Sequence, residues 1–417
     1  LTYNAADSVI VGKYVGEQAL AAVGTSTPIM NIAILLISGM CMGASVLMSS
    51  QYGAKDYDTL SRQISTTMLA GCGFSVVFSL LMLLLANPVL RLIRVPETAI
   101  PEAAAYLRII FMGLIFTFMY NFLANTMRAL GDSKTPLYFL VTSAFLNIFG
   151  DLFFVVVLRW GVAGSAIATV CSEGLCCLLC GIYIKKKIPL LCLGKKWWVF
   201  DKSLLGKTVS YGSTSAMQQV CLQLGKLIIQ SVVNTQGVAV MAAFTAVNRV
   251  DDFAYTPQQN IGHAMTTFLA QNKGAGHKER MKKGFQTGLL IELVYSIGLF
   301  CVIWGLAPQI MTLFAEDGDA QVVSLGISYL HLISWMYILP GLTNGVQGFF
   351  RGIGDLKVTL YSTFMNMFGR VVAVFVMIRL LQMEFASLAW ANMVGWIVML
   401  LFEVPLLVKS MRNGECG

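Results

Sequence analysis

Apolar runs long enough to cross a bilayer alternate with short polar stretches along the whole chain. A spanning helix needs about 20 mostly apolar residues. Segments of that kind lie near 18–50, 63–86, 102–127, 136–158, 163–184, 204–233, 238–271, 285–307, 322–348, 358–380 and 386–408, eleven in all. The chain opens on LTYNAADSVIVG, which reads as the outer end of a twelfth helix whose first part is missing. It has neither the basic start nor the long apolar run of a signal peptide. The pattern predicts an all-α polytopic membrane protein with twelve transmembrane helices, the first truncated.

The helices fall into two related halves. RALGDSKTPLY at 128–138 returns as RGIGDLKVTLY at 351–361, with six of eleven positions identical at an offset of 223. Upstream, Ala21-Ala22 and Gly53-Ala54 return as Ala242-Ala243 and Gly274-Ala275 at an offset of 221. Downstream, Ala163, Ala166 and Ala168 return as Ala386, Ala389 and Ala391. Each half then carries six helices. Six is even, so both halves start on the same side, and the repeats are parallel. We expect a first lobe over 1–184, a linker over 185–202 and a second lobe over 203–417. Parallel repeats commonly place a substrate site at their interface and alternate its access by rocking. The linker, KKKIPLLCLGKKWWVFDK, reads as an interfacial segment carrying Trp197 and Trp198, or as a plain surface loop.

Composition removes the soluble alternatives. Hydrophobic residues make up 57% of the chain and charged residues 12%, against about 25% charged in soluble domains. Too little polar surface remains to cover a water-exposed globule. The net charge of +8 calls for no nucleic acid, because 20 of the 29 basic residues fall in alternate loops. The positive-inside rule then puts the C-terminus in the cytoplasm of a multi-pass cell-membrane protein. Ten cysteines do not indicate a disulfide framework, since most sit in apolar helices. Cys171, Cys176, Cys177 and Cys180 have helical spacing but no nearby histidine, and read as packing residues rather than a metal site. The 22 methionines and 46 aromatics suit either a promiscuous cavity or ordinary membrane packing.

Ionisable groups in hydrocarbon usually face a cavity or each other, because each costs at least about 2.5–3.5 kcal/mol to insert. Ten lie inside the predicted helices: Asp7, Asp151, Glu173, Lys226, Arg249, Asp251, Asp252, Glu292, Arg370 and Glu403. Asn147 and Asp151 are four apart and share a helical face. An amide beside a buried acid can act as a cation-controlled switch; headgroup wetting at the helix end is the simpler alternative. Asp7 lies near the outer end of the truncated helix and shares a cation with Asp151 if the two meet. In the second half, Asp251 and Asp252 either pair with Arg249 or form a site. Pro257 is expected to kink their helix and free backbone carbonyls. Lys226 and Glu292 are lone charges and second-tier candidates. Under the 223 offset Arg370 replaces Asn147 and Val374 replaces Asp151, so the second half lacks the acid–amide pair.

DSVIVGKYVGEQALAAVG, SQYGAKD, the RALGDSKTP and RGIGDLK loops and AQNKGAGHKERMKKG resemble, in order and spacing, the multidrug and toxic compound extrusion (MATE) family over nearly the whole chain. That resemblance implies a V-shaped twelve-helix transporter with two six-helix lobes. It implies export of organic cations or amphipathic drugs in exchange for H+ or Na+. The DinF-like branch binds its coupling cation in the first lobe, through an acid, a tyrosine, an Asn-x-x-x-Asp and a threonine. Asp7, Tyr106, Asn147, Asp151 and Thr169 match those positions here. The glutamate and aspartate that the NorM-like branch carries in its seventh and tenth helices are missing from VSYGSTSAMQQ and ILPGLTNGVQGFF. The expected function is therefore cation-coupled efflux by a monomer, with lipid and a small organic solute as partners and no cofactor. The alternative within the same superfamily is a lipid-linked oligosaccharide flippase. That activity needs a basic cavity, for which only Lys226, Arg249 and Arg370 are available. An enzyme is not expected: His263, His277 and His331 form no close cluster and no metal-protease motif.

Overall fold

A computed structural model describes residues 7, 10–93, 95–191, 194–314, 320–381, 385 and 387–412. Arg94, Ala386 and the chain ends at 1–6 and 413–417 lie outside the described residues, as do the side chains of Trp197 and Arg379. Among the described residues all regular structure is helical. Contacts divide the chain into two compact units, Leu1–Met48 with Asp56–Ala216 and Ser49–Lys55 with Met217–Gly417.

A short helical stretch at 10–14 precedes α1 (Glu17–Gly53), α2 (Tyr57–Leu92), α3 (Ile100–Met112), α4 (Leu114–Ala129), α5 (Lys134–Asp151) and α6 (Gly161–Lys187). Two 3₁₀ turns, Pro189–Leu191 and Gly194–Trp198, lead into α7 (Lys202–Val233). Then come α8 (Val238–Gly274), α9 (Lys278–Phe314), α10 (Ala320–Ser334), α11 (Ile338–Ile353), α12 (Leu356–Val374) and α13 (Ser387–Arg412). The internal repeat is visible element by element. Both ends of α1 and α8 are offset by 221 residues. A π-helical turn follows α5 at Leu152–Val157 and α12 at Phe375–Leu380, offset by 223.

The repeated loops share one physical device. Gly131 and Gly354 both adopt a left-handed φ, +96° and +86°. Behind Gly131, its own amide bonds Arg128 and the Asp132 amide bonds Met127; behind Gly354, the equivalent bonds reach Arg351 and Phe350. This is the Schellman arrangement, and glycine supplies the left-handed turn without a Cβ penalty. The repeated Gly53 and Gly274 have a different cause. A Cβ on Gly53 would collide with the main chain of Gln271, and one on Gly274 with that of Ser50.

Two helices expected to be continuous are broken. The segment near 102–127 divides into α3 and α4, bent by 44° at Gly113, where a Cβ would meet Val170 at 2.4 Å. The segment near 322–348 divides into α10 and α11 at a 3₁₀ turn, Trp335–Tyr337. α8 is one helix with Pro257 inside it. Among the described residues eight helical segments are long and apolar enough to span a membrane, or nine with the bent α3–α4 pair. In α2 only 11% of the most apolar stretch is buried by protein, so lipid is the solvent for the rest. Neither α7 nor α8 is among these apolar segments. Lys226, Arg249, Asp251, Asp252 and Gln258 lie on those two helices.

The basic linker docks on α2 within the first unit. Ser65 Oγ donates to the Val199 carbonyl at 2.6 Å, Thr66 Oγ1 accepts from the Asp201 amide at 3.0 Å, and Arg62 pairs with Asp201. Asp201 also caps α7, accepting from the amides of Ser203 and Leu204 at 2.9 and 3.2 Å.

Candidate functional site

The first unit gathers the sequence-predicted acids. Asn147 and Asp151 lie one turn apart on the same face of α5, 1% and 0% exposed, and Asp7 is 1% exposed. The Asp7 carboxyl lies in polar contact range of Asp151 and Asn147, and Asp151 in that of Ser165 on α6. Asn147 Nδ2 donates to Thr169 Oγ1 at 3.1 Å, and the Thr169 hydroxyl donates to the Ser165 carbonyl at 3.2 Å. Among the described residues no donor reaches any of the four carboxylate oxygens in hydrogen-bonding geometry, and Asn147 Oδ1 and Ser165 Oγ also have no partner.

Two apposed carboxylates without donors are costly in a dry interior. A proton or a small cation shared between them removes the cost. The donor set is all oxygen, which suits a hard monovalent ion as well as a proton. The π-helical turn begins at Leu152, directly after Asp151, and such turns are frequent at functional sites. Tyr106 packs with Val11, Val23, Met30 and Ala166. Its hydroxyl faces the Met30 sulfur at 4.0 Å.

Beside Thr169 a small cleft opens among Met30, Ile34, Phe111, Leu114, Thr117 and Glu173. Thr117 donates to the Glu173 carboxylate across it. The sequence marked Glu173 as a misplaced charge without giving it a role; its position one turn after Thr169 was the available signal. Ser165 was missed altogether, although it stands one turn before Thr169. In the cysteine cluster, the Cys176 thiol faces the Phe139 carbonyl at 3.2 Å.

The second-unit candidates do not gather in one place. Arg249 is exposed and, among the described residues, pairs with neither neighbouring acid. Asp252 instead pairs with Lys226 at 3.1 Å at a half-exposed position. Asp251 is buried and accepts from the hydroxyls of Tyr337 and Tyr329 at 2.5 and 3.3 Å. Glu292 is fully buried and, among the described residues, no donor reaches either oxygen. Arg351, read as a loop residue, is buried at the end of α11, whereas its counterpart Arg128 is exposed. It donates to Gln347 at 2.7 Å, which Gln218 also reaches at 3.2 Å. The fully buried Glu403 lies beside Gln347 and Ser362. At the repeat-equivalent positions the first half has Arg128, Ala124, Phe139 and Cys180, so it has no group to bury an arginine against.

Known proteins share this architecture. The MatE family profile matches residues 1–153 and 215–376. The probable multidrug resistance protein YpnP of Bacillus subtilis is 31% identical over 86% of this chain and 80% of its own length. The probable multidrug resistance protein YoeA of the same organism is 29% identical over 86% and 78%. A solved outward-facing multidrug resistance MATE transporter of the MOP superfamily superposes with a TM-score of 0.90 at 22% identity, over 100% of this chain and 92% of that one. Paired six-helix repeats, donorless acids inside a membrane protein and these matches converge: the chain belongs to the MatE family of multidrug efflux transporters.

Proposed function

We propose that the chain is a cell-membrane antiporter of DinF-like type that exports organic cations and amphipathic compounds in exchange for H+ or Na+. The observation that carries this reading is the buried, donorless contact of Asp7 with Asp151. A cation entering from outside neutralises the pair, Asn147 and Thr169 repack around it, and the first helix bends. The bend expels the solute and favours the inward-facing state. The ion drives this step only as far as it binds one state better than the other.

The cleft next to Thr169 supports the same reading for the solute. Its apolar and methionine walls suit varied hydrophobic bodies, and Glu173 offers a charge for a cationic group. The cleft as it stands admits about one water, so solute entry requires it to widen, with the bend at Gly113 as the natural hinge. Of the three basic groups a flippase would need, Lys226 is engaged by Asp252 and Arg249 is exposed.

The test is transport of a fluorescent organic cation in proteoliposomes under an imposed pH or sodium gradient. The proposal expects gradient-driven exchange by the wild type and none by Asp151→Asn, with membrane insertion unchanged. Exchange by Asp151→Asn at the wild-type rate sinks it. Solute-independent lipid flipping without exchange points to the flippase.

A further inference from the structure

The basic linker carries chemistry that the transport cycle does not use. From Lys185 to Lys207 the chain has seven lysines and one acid, Asp201. Arg62 already pairs with that acid, and Lys196 pairs with Asp58 at 3.3 Å. Lys186, Lys187, Lys195, Lys202 and Lys207 are exposed and pair with no acid among the described residues. Like charges gathered on one surface repel one another and raise a field that draws an anionic partner.

The same stretch holds aromatic rings in the open. The main chain of Val199 is pinned on both sides: Ser65 Oγ donates to its carbonyl at 2.6 Å and accepts from its amide at 3.0 Å. Two residues on, the Asp201 amide donates to Thr66 Oγ1 at 3.0 Å. Trp198 and Phe200 flank the pinned residue and are 78% and 49% exposed. The anchor points also set a depth. Ser65 and Thr66 stand just before Met68–Ala86, the uncharged stretch of α2. At 1.5 Å per residue, Ser65 lies about 4.5 Å from Met68 along the helix axis. So little of the apolar part of α2 is buried by protein that this helix faces lipid. The two rings are therefore held near the level at which a lipid-facing helix enters the bilayer, the layer where tryptophan is enriched. Lys186 and Lys187 end α6 and Lys202 opens α7 on the same side.

We infer that the linker is a binding surface for anionic phospholipid headgroups, with Trp198 and Phe200 seated in the interfacial layer and Lys195, Lys202 and their neighbours against the headgroup phosphates. The rings supply apolar contact. The lysines supply charge, each contributing about fivefold in affinity near an anionic surface. By the positive-inside rule the leaflet is the cytoplasmic one. A soluble polyanion would match the lysines but leave both rings in water. The inference rests on α2 crossing a membrane and not on the Asp7–Asp151 cycle.

The test is hydrogen–deuterium exchange of 194–201 in the full chain, in nanodiscs of phosphatidylcholine with a rising fraction of phosphatidylglycerol. Exchange should slow about fivefold or more as phosphatidylglycerol rises, and high salt should abolish the slowing. Lys195→Gln/Lys202→Gln leaves the Arg62–Asp201 and Ser65–Val199 contacts in place and should lose most of the slowing. Trp198→Ser should lose most of it too, and carries the test alone if the lysine variant does not purify as a folded protein. Equal exchange in both lipids, or variants that slow like the wild type, overturns the inference. Inorganic polyphosphate that slows exchange equally in phosphatidylcholine alone overturns it as well, in favour of a soluble anion. Failure of gradient-driven solute exchange would count against the first-unit mechanism and leave this surface standing.

Discussion

In the proposed cycle Asp7 and Asp151 matter because hydrocarbon cannot solvate them and, among the described residues, no donor reaches them. Their roles are joint, so their mutational effects should not add. Asp7→Asn and Asp151→Asn should each abolish gradient-driven exchange, and the double variant should be no worse than either, as for groups that act as a unit. Initial exchange rates of the three variants check this; a double variant far below both singles would show two independent sites. Asn147 and Asp151 were legible in the sequence because residues four apart share a helical face. The contact with Asp7 was not, because it joins the chain's opening segment to α5 across more than a hundred residues. Arg351 read as a loop residue because it opens the RGIGDLK stretch, although both it and Arg128 stand in the last turn of a helix. Only the second half supplies the Gln347, Ser362 and Glu403 that surround it.

At the scale of elements, the polar groups between helices set how firmly each unit is packed. Removing Arg351 would leave Glu403 buried without a compensating charge. Arg351→Met should cost about 3–5 kcal/mol of stability, and adding Glu403→Leu should recover most of it. Thermal unfolding of the purified variants checks the pair; full stability in Arg351→Met alone contradicts the buried network. The linker gives a pH prediction. The Leu204 and Ser203 amides, helped by Arg62, hold the Asp201 carboxyl below its ordinary value of 3.8. A depressed folded-state value means the contribution is present above the unfolded value and is lost as pH falls through the folded one. The effect is screened at this exposed site and modest. Protease protection of 185–202 should therefore weaken in the wild type as pH falls below the ordinary carboxylate value of 3.8. Asp201→Asn should flatten that dependence; an unchanged pH profile would remove Asp201 from the linker's docking. Helix positions were readable from apolar run length. The breaks at Gly113 and at Trp335–Tyr337 were not, because each lies inside an unbroken apolar run whose local pattern favours helix.

Across the whole molecule, the duplicated plan was plain in the paired RALGD and RGIGD loops, and α1 and α8 repeat it end to end. The halves then diverge in chemistry. The acid–amide pair of Asn147 and Asp151 has Arg370 and Val374 at the equivalent positions, so the duplication supplies the frame and single substitutions change its chemistry. The account as a whole depends on buried carboxylates converting an ion gradient into solute movement. The most direct measurement is uphill movement of an organic cation by the purified chain in sealed liposomes, with an ion gradient as the sole energy source. The account predicts that solute accumulates against its own gradient when protons or sodium run the opposite way, and that collapsing the ion gradient reverses the accumulation. Solute that only equilibrates, at a rate indifferent to both ions, would contradict it.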